Sequence, residues 1–180
     1  MRDERLLLER AREYDPEVLG EIYDGYSEKI YHYIYRYLGE ARLAEDLTAQ
    51  VFLKLLEAIK ASQGPRTHLS AWLYRVAHNL VVDHFRRRPR EESLPLEEEL
   101  VAAPEHVTVV VEKKLAQQHL RAAISHLTPD QQQVIVLKFV EGLSNAEVGQ
   151  VLGKTEGAVK SLQHRALDAL QRIMEREESR

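Results

Sequence analysis

The stretch Ser144-Asn145-Ala146-Glu147-Val148-Gly149-Gln150-Val151-Leu152-Gly153-Lys154-Thr155-Glu156-Gly157-Ala158-Val159-Lys160-Ser161-Leu162-Gln163-His164-Arg165-Ala166 decides how the whole chain is read. Ser144 and Glu147 have the spacing of a capping box, so a helix starts there, with Val148, Val151 and Leu152 as its apolar side. Gly153 suits the left-handed residue that closes a helix. Thr155 then caps a longer helix whose inward positions are Val159, Leu162, Ala166, Ala169, Leu170 and Ile173. A short capped helix, a glycine turn and a longer helix make a helix-turn-helix, whose second helix lies in the major groove of DNA. The outward face of that helix carries Gly157, Lys160, Ser161, His164 and Asp168, with Arg165 at its edge. Thr155 and Gly157, small residues at the helix start, let phosphate approach the helix N-terminus. Lys160 and Arg165 reach phosphates or guanine edges, and Ser161, Gln163 and His164 supply hydrogen bonds. The plain alternative is a helical hairpin with a solvated polar face. Residues 154–172 hold four cations and two acids, a balance of +2, so this module alone binds DNA weakly.

Working outward, Leu120, Ala123, Ile124 and Leu127 form one apolar stripe. Thr128-Pro129-Asp130-Gln131 is a second capping box, with Pro at the first helical position. The helix it opens carries Val134, Ile135, Leu137 and Phe139 and ends near Gly142. Closer to the N-terminus, Asp15-Pro16 starts a helix with Val18, Leu19, Ile22, Tyr23, Tyr26, Ile30, Tyr33, Ile34, Tyr37 and Leu38 at helical steps, closed by Gly39. Leu43, Leu47, Val51, Leu55 and Ile59 mark a second helix, which breaks at Ser62-Gln63-Gly64-Pro65. A third runs from about Leu69 to Arg87, burying Leu69, Trp72, Leu73, Val76, Ala77, Leu80 and Val81, and Pro89 stops it. Residues 90–111 read as a linker rich in Glu and Pro. The run at 107–111 (VTVVV) has no partner strand and is expected to extend or pack on the next helix. The expected fold class is all-α: two small helical domains, 1–89 and 112–180, joined by a flexible acidic linker, 90–111.

Bulk properties exclude several functions. The 180 residues are 44% hydrophobic and 30% charged, as in a soluble globular protein. With no cysteine, disulfides and Cys-based zinc sites are excluded, which suits a reducing cytoplasm. The start is charged throughout, without a signal-peptide core, and no stretch has bilayer-spanning length. The net charge of −4 conceals a sharp division. Residues 66–90 hold six Arg and one Asp, a balance of +5, and residues 91–105 hold six Glu and no cation, a balance of −6. A basic face followed by a separate acidic segment is the expected arrangement. The eight His show no metal-binding spacing, and no nucleophile–base pair or Glu-x-x-His pair stands out, so no enzyme, metal or cofactor is expected.

The third helix has two unlike faces. Arg75, Asn79, Asp83 and Arg86 lie about one turn apart on the polar one, beside a flexible loop from Lys60 to His68. Cations, amides and aromatic rings in that arrangement suit single-stranded or melted DNA. Periodicity alone makes Trp72 a core residue and Arg86-Arg87-Arg88 a solvated, dipole-matched helix end.

Three segments resemble the sigma-70 family of initiation factors, specifically the extracytoplasmic-function (ECF) sigma factors. Ala44-Glu45-Asp46-Leu47-Thr48-Ala49-Gln50-Val51-Phe52-Leu53-Lys54-Leu55 is similar to the helix that docks on the polymerase clamp. Ala71-Trp72-Leu73-Tyr74-Arg75-Val76-Ala77-His78-Asn79, with Asp83 and the Arg cluster, resembles the segment engaging the "−10" element. Leu127-Thr128-Pro129-Asp130-Gln131, the capping box at Ser144 and the helix from Gly157 to Ala166 resemble the region reading the "−35" element. The resemblance implies an adaptor, not an enzyme, that directs core RNA polymerase to promoters and supports DNA opening. It implies "−35" contacts at Thr155, Gly157, Lys160, Ser161, His164 and Arg165, and "−10" contacts at Trp72, Arg75, Asn79, Asp83, Arg86 and Arg87. Polymerase contacts fall at Asp46, Leu47, Gln50 and Phe52. The implied partners are core polymerase (its beta-prime clamp and beta flap), promoter DNA and an anti-sigma factor. The rival reading is a dimeric helix-turn-helix regulator that self-associates through residues 1–90 and binds palindromic half-sites.

Overall fold

The structure, a computed structural model, describes residues 4–87 and 123–178. Among them there are helices and turns and no strand. In chain order these are α1 (Glu4–Arg12), α2 (Pro16–Leu38), α3 (Ala41–Lys60), α4 (Leu69–Arg87), α5 (Pro129–Ile135) continuing as a π-helical segment (Val136–Val140), α6 (Asn145–Leu152) and α7 (Glu156–Glu178). The chain divides into two compact units, the first built on α1–α4 and the second carrying α5 and α7. Pro89, the linker 90–111 with its run at 107–111, Arg88, Leu120 and the boundary at 112 lie outside the described residues.

In the first unit the local signals work as expected. The Asp15 carboxylate accepts the Glu17 N–H at 3.0 Å, with Pro16 opening α2. Gly39 closes the helix at φ 65, its N–H reaching the Tyr35 carbonyl. α2 packs against both α3 and α4, and α3 against α4. Ile30, Tyr33, Ile34, Ala44, Val51, Leu73 and Ala77 are wholly enclosed where the three meet. Each large aliphatic side chain buried there stabilises the fold by roughly 1.5–3 kcal/mol.

The sequence gives α4 a broader apolar face than it uses. Its buried residues are Leu69, Ala71, Leu73, Tyr74, Ala77 and Val81, whereas Trp72, Val76 and Leu80 are only half-buried. Tyr74 takes the central place because its ring meets Tyr33 edge-on at 5.3 Å. Trp72 therefore lies at the border of the core, one side accessible. α1, which the periodicity did not single out, packs on α2 and α3 through Leu8 and Ala11.

In the second unit Thr128 forms its capping box with Gln131, the Thr128 N–H reaching Gln131 Oε1 at 3.0 Å. Ala123, Ile124, Leu127 and Ile135 pack with Ala166 and Leu170 of α7. The π-helical segment departs from expectation. Four consecutive residues, Val134 to Leu137, are buried, and Phe139 is 55% exposed. The Glu141 N–H bonds back to the Val136 carbonyl, five residues away. That wider turn moves later side chains around the axis and leaves Phe139 outside.

Candidate nucleic-acid interface

A tight turn joins α6 to α7. Ser144 and Glu147 exchange hydrogen bonds of 2.8 and 3.2 Å at the start of α6. Gly153 adopts φ 64, and the Lys154 N–H reaches the Gly149 carbonyl at 2.9 Å. Gly149 is the residue the sequence reading passed over. A Cβ at this position would stand 2.6 Å from the Lys154 carbonyl oxygen, so the turn closes only over glycine. The signal was a glycine inside a short apolar-periodic helix, four residues before the turn glycine. The Lys154 ammonium lies 2.9 Å from the Asp130 carboxylate, tying the turn to the start of α5.

Thr155 Oγ accepts the Ala158 N–H at 3.2 Å and caps α7. Val159, Ala166 and Leu170 are buried, with Leu162, Ala169 and Ile173 half-buried beside them. Thr155, Gly157, Lys160, Ser161, His164 and Arg165 are all exposed. Nothing lies within 4 Å of a Cβ placed on Gly157, so packing does not require glycine there and the surface is open. The polar groups have local partners. Lys160 lies 3.0 Å from Glu156, His164 2.8 Å from Asp168, and Arg165 donates to the Ser161 carbonyl at 3.3 Å. Exposed pairs one turn apart on a helix contribute only about 0.3–0.5 kcal/mol, so phosphate oxygens can replace them.

α4 carries the second cluster. Arg75, Asn79, Asp83, Arg86 and Arg87 are exposed, and Trp72 is half-buried beside them. Arg86 lies 3.7 Å from Asp83 within this row. The preceding loop is more firmly held than the sequence suggested. The Gln63 N–H bonds to the Ala58 carbonyl at 2.8 Å, and Pro65 is buried. Ser62 and His68 hold left-handed backbone at φ 58 and 55. Arg66, Thr67 and His68 remain exposed.

α3 has a buried and an exposed side. Asp46 and Gln50 are exposed, whereas Leu47 and Phe52 are buried at 7% and 8%, with Phe52 meeting the Tyr23 ring edge-on at 4.9 Å. The core stripe of α3 includes both of these positions. The outward row is Asp46, Gln50, Leu53 and Glu57, at steps of four, three and four. Leu53 is 54% exposed and was not foreseen; a leucine opposite the buried stripe was its signal.

The two units thus combine a helix-turn-helix with a helical bundle bearing a basic, aromatic-edged face. The family description "Sigma-70 region 2" matches residues 22–91 and "Sigma-70, region 4" matches residues 117–170. The chain is 39% identical to the ECF RNA polymerase sigma factor BldN of Streptomyces coelicolor, over 93% of this chain and 64% of that protein. It is 30% identical to the ECF RNA polymerase sigma factor SigW of Bacillus subtilis, over 92% of this chain and 93% of that one. It thus spans less than two thirds of the first relative and nearly all of the second. A solved structure of the sigma factor RpoE with the anti-sigma factor NepR from Bartonella quintana shares the fold, at TM-score 0.65, 21% identity, and coverage of 87% of this chain and 96% of that one. These matches define a sigma factor. More particularly, the chain belongs to the ECF RNA polymerase sigma factors of the sigma-70 family. Residues 1–90, which a dimeric regulator would use for self-association, hold nearly all of the region 2 match at 22–91, and that rival is not favoured.

Proposed function

We propose that this chain acts in the cytoplasm as the promoter-selecting subunit of RNA polymerase, with domains at 1–89 and 112–180 and a tether at 90–111. α7 enters the major groove of the "−35" element, with Thr155, Gly157, Lys160, Ser161, His164 and Arg165 facing DNA. Trp72, Arg75, Asn79, Asp83, Arg86 and Arg87 of α4 take the strand that opens at the "−10" element, cations along its backbone and the Trp72 edge beside its bases. The outward row of α3, with Asp46 and Gln50, meets the beta-prime clamp, Leu47 and Phe52 holding it from beneath. The second unit meets the beta flap. An anti-sigma factor is the expected regulator, as RpoE has NepR in the structure above.

The single observation carrying this reading is that the whole outward face of α7 is exposed while Val159, Ala166 and Leu170 fix it from behind. Run-off transcription with purified core polymerase and a genomic promoter library tests it. The expected result is initiation at a defined promoter set only when the chain is added. Failure to associate with core polymerase would overturn the reading.

A further inference from the structure

α1 precedes residue 22, where the region 2 match begins, yet it makes specific bonds to the loop before α4. At its start, Glu4 Oε1 accepts the Leu69 N–H at 2.7 Å, 65 residues away. At its end, Arg12 Nη2 donates to the Pro65 carbonyl at 3.1 Å. Just beyond, Tyr14 Oη donates to the Leu56 carbonyl at 3.2 Å. The loop is thus held at Pro65 by Arg12, and the helices flanking it are held at Leu69 by Glu4 and at Leu56 by Tyr14, with α1 itself anchored by Leu8 and Ala11.

The loop needs this external hold. A helix start is normally completed by a Ser, Thr, Asp or Asn in extended backbone, which satisfies one of the first free N–H groups. At α4 that place belongs to His68, whose carbonyl takes the Trp72 N–H at 3.0 Å, and His68 is left-handed at φ 55. Ser62, at the other end of the loop, is left-handed as well. Such conformations persist in non-glycine residues only when their surroundings over-determine them. Glu4 takes one of the first N–H groups of α4 from a distant part of the chain, and its negative charge also suits a helix N-terminus. Arg12 holds the middle of the loop at Pro65.

We propose that α1 is a positioning strap: Glu4 and Arg12 fix the loop 61–68 and the first turn of α4 in the conformation that receives the opened DNA strand. This rests on the reading that α4 and its loop take that strand. Neither residue touches DNA. Their effect falls on the isomerisation from closed to open promoter complex, where misplacement of a receiving group by about 1 Å costs up to about 100-fold.

The test uses the full chain assembled with core polymerase on a duplex promoter carrying 2-aminopurine in the opened segment. Core affinity, closed-complex affinity and the rate of fluorescence rise are measured separately. Glu4→Ala with Arg12→Ala should slow opening by about tenfold or more, leaving core and closed-complex affinities within about twofold. Glu4→Gln, whose amide oxygen still accepts from Leu69 N–H, should recover most of the rate, and serves as the readout should the double variant fold poorly. Unchanged opening in the double variant overturns the proposal, as does a loss of core affinity that accounts for the slower opening. A Glu4→Gln variant as slow as Glu4→Ala also overturns it. Arg75→Ala with Asn79→Ala separates the two ideas. If this pair leaves opening unaltered, the strand-receiving reading of α4 fails; if it slows opening and the strap variants do not, the strap alone fails.

Discussion

At the residue scale, two glycines of the helix-turn-helix make opposite predictions. Gly149→Ala places a methyl group against the Lys154 carbonyl, so either the turn or α6 must shift. The expected loss is about 1–3 kcal/mol, read by denaturant unfolding of the C-terminal unit. Gly157→Ala meets nothing and should be neutral or stabilising by up to about 1 kcal/mol. Sequence could not separate these two, because both are glycines within helices and only the neighbouring backbone tells them apart. Gly39 and Gly153 were legible because each follows the last apolar position of a helix. Asp15 gives a pH prediction. Hydrogen bonding from Arg10 at 2.9 Å, foremost, holds its carboxyl below the usual carboxylate range. A carboxyl lowered on folding stabilises the protein above its unfolded pKa, and that contribution is lost as pH falls through the folded value. Asp15→Asn, which can still cap α2, should therefore melt lower than the parent at neutral pH. The gap should close as pH drops below about 3.8, as thermal scans across that range would show.

At the element scale, α3 separates a buried side from an exposed row of Asp46, Gln50, Leu53 and Glu57. Asp46→Ala with Leu53→Ala should weaken core-polymerase association, read by anisotropy titration, and leave the melting temperature nearly unchanged. Leu47→Ala should do the reverse, costing about 2–5 kcal/mol of stability through the cavity it leaves. For α7, Lys160→Ala with Arg165→Ala should abolish specific "−35" binding and reduce the log–log salt slope by up to about 2, with polymerase association intact. The extents of α2, α3 and α4 were legible because Asp15-Pro16, Gly39 and the Ser62–Pro65 break act locally. Which apolar residues went inside was less so. Trp72 and Tyr74 are both large and aromatic, and only the position of Tyr33 on α2 decides that Tyr74 fills the core. The exposure of Phe139 was equally hidden, since the π-helical turn changes the period that the reading assumed.

At the scale of the whole molecule, the +5 and −6 segments and the modest +2 of residues 154–172 predict a chain that holds promoter DNA weakly by itself. The free chain should bind promoter duplex no more tightly than about 10⁻⁶ M at physiological salt, the range of nonspecific contacts, and the assembled enzyme far more tightly. Fluorescence anisotropy on one labelled promoter, with and without core polymerase, checks this. The two helical units were legible from capping boxes and apolar faces; the grip of α1 on the loop before α4 was not, because Glu4 and Leu69 are far apart in sequence and meet only in the folded bundle. The acids Glu156 and Asp168, each one turn from a basic partner on α7, have a consequence for the cell. A chromosome presents on the order of 10⁶–10⁹ wrong addresses to any reading helix. By bringing the four cations of residues 154–172 down to a balance of +2, these two acids lower the nonspecific attraction at each of them.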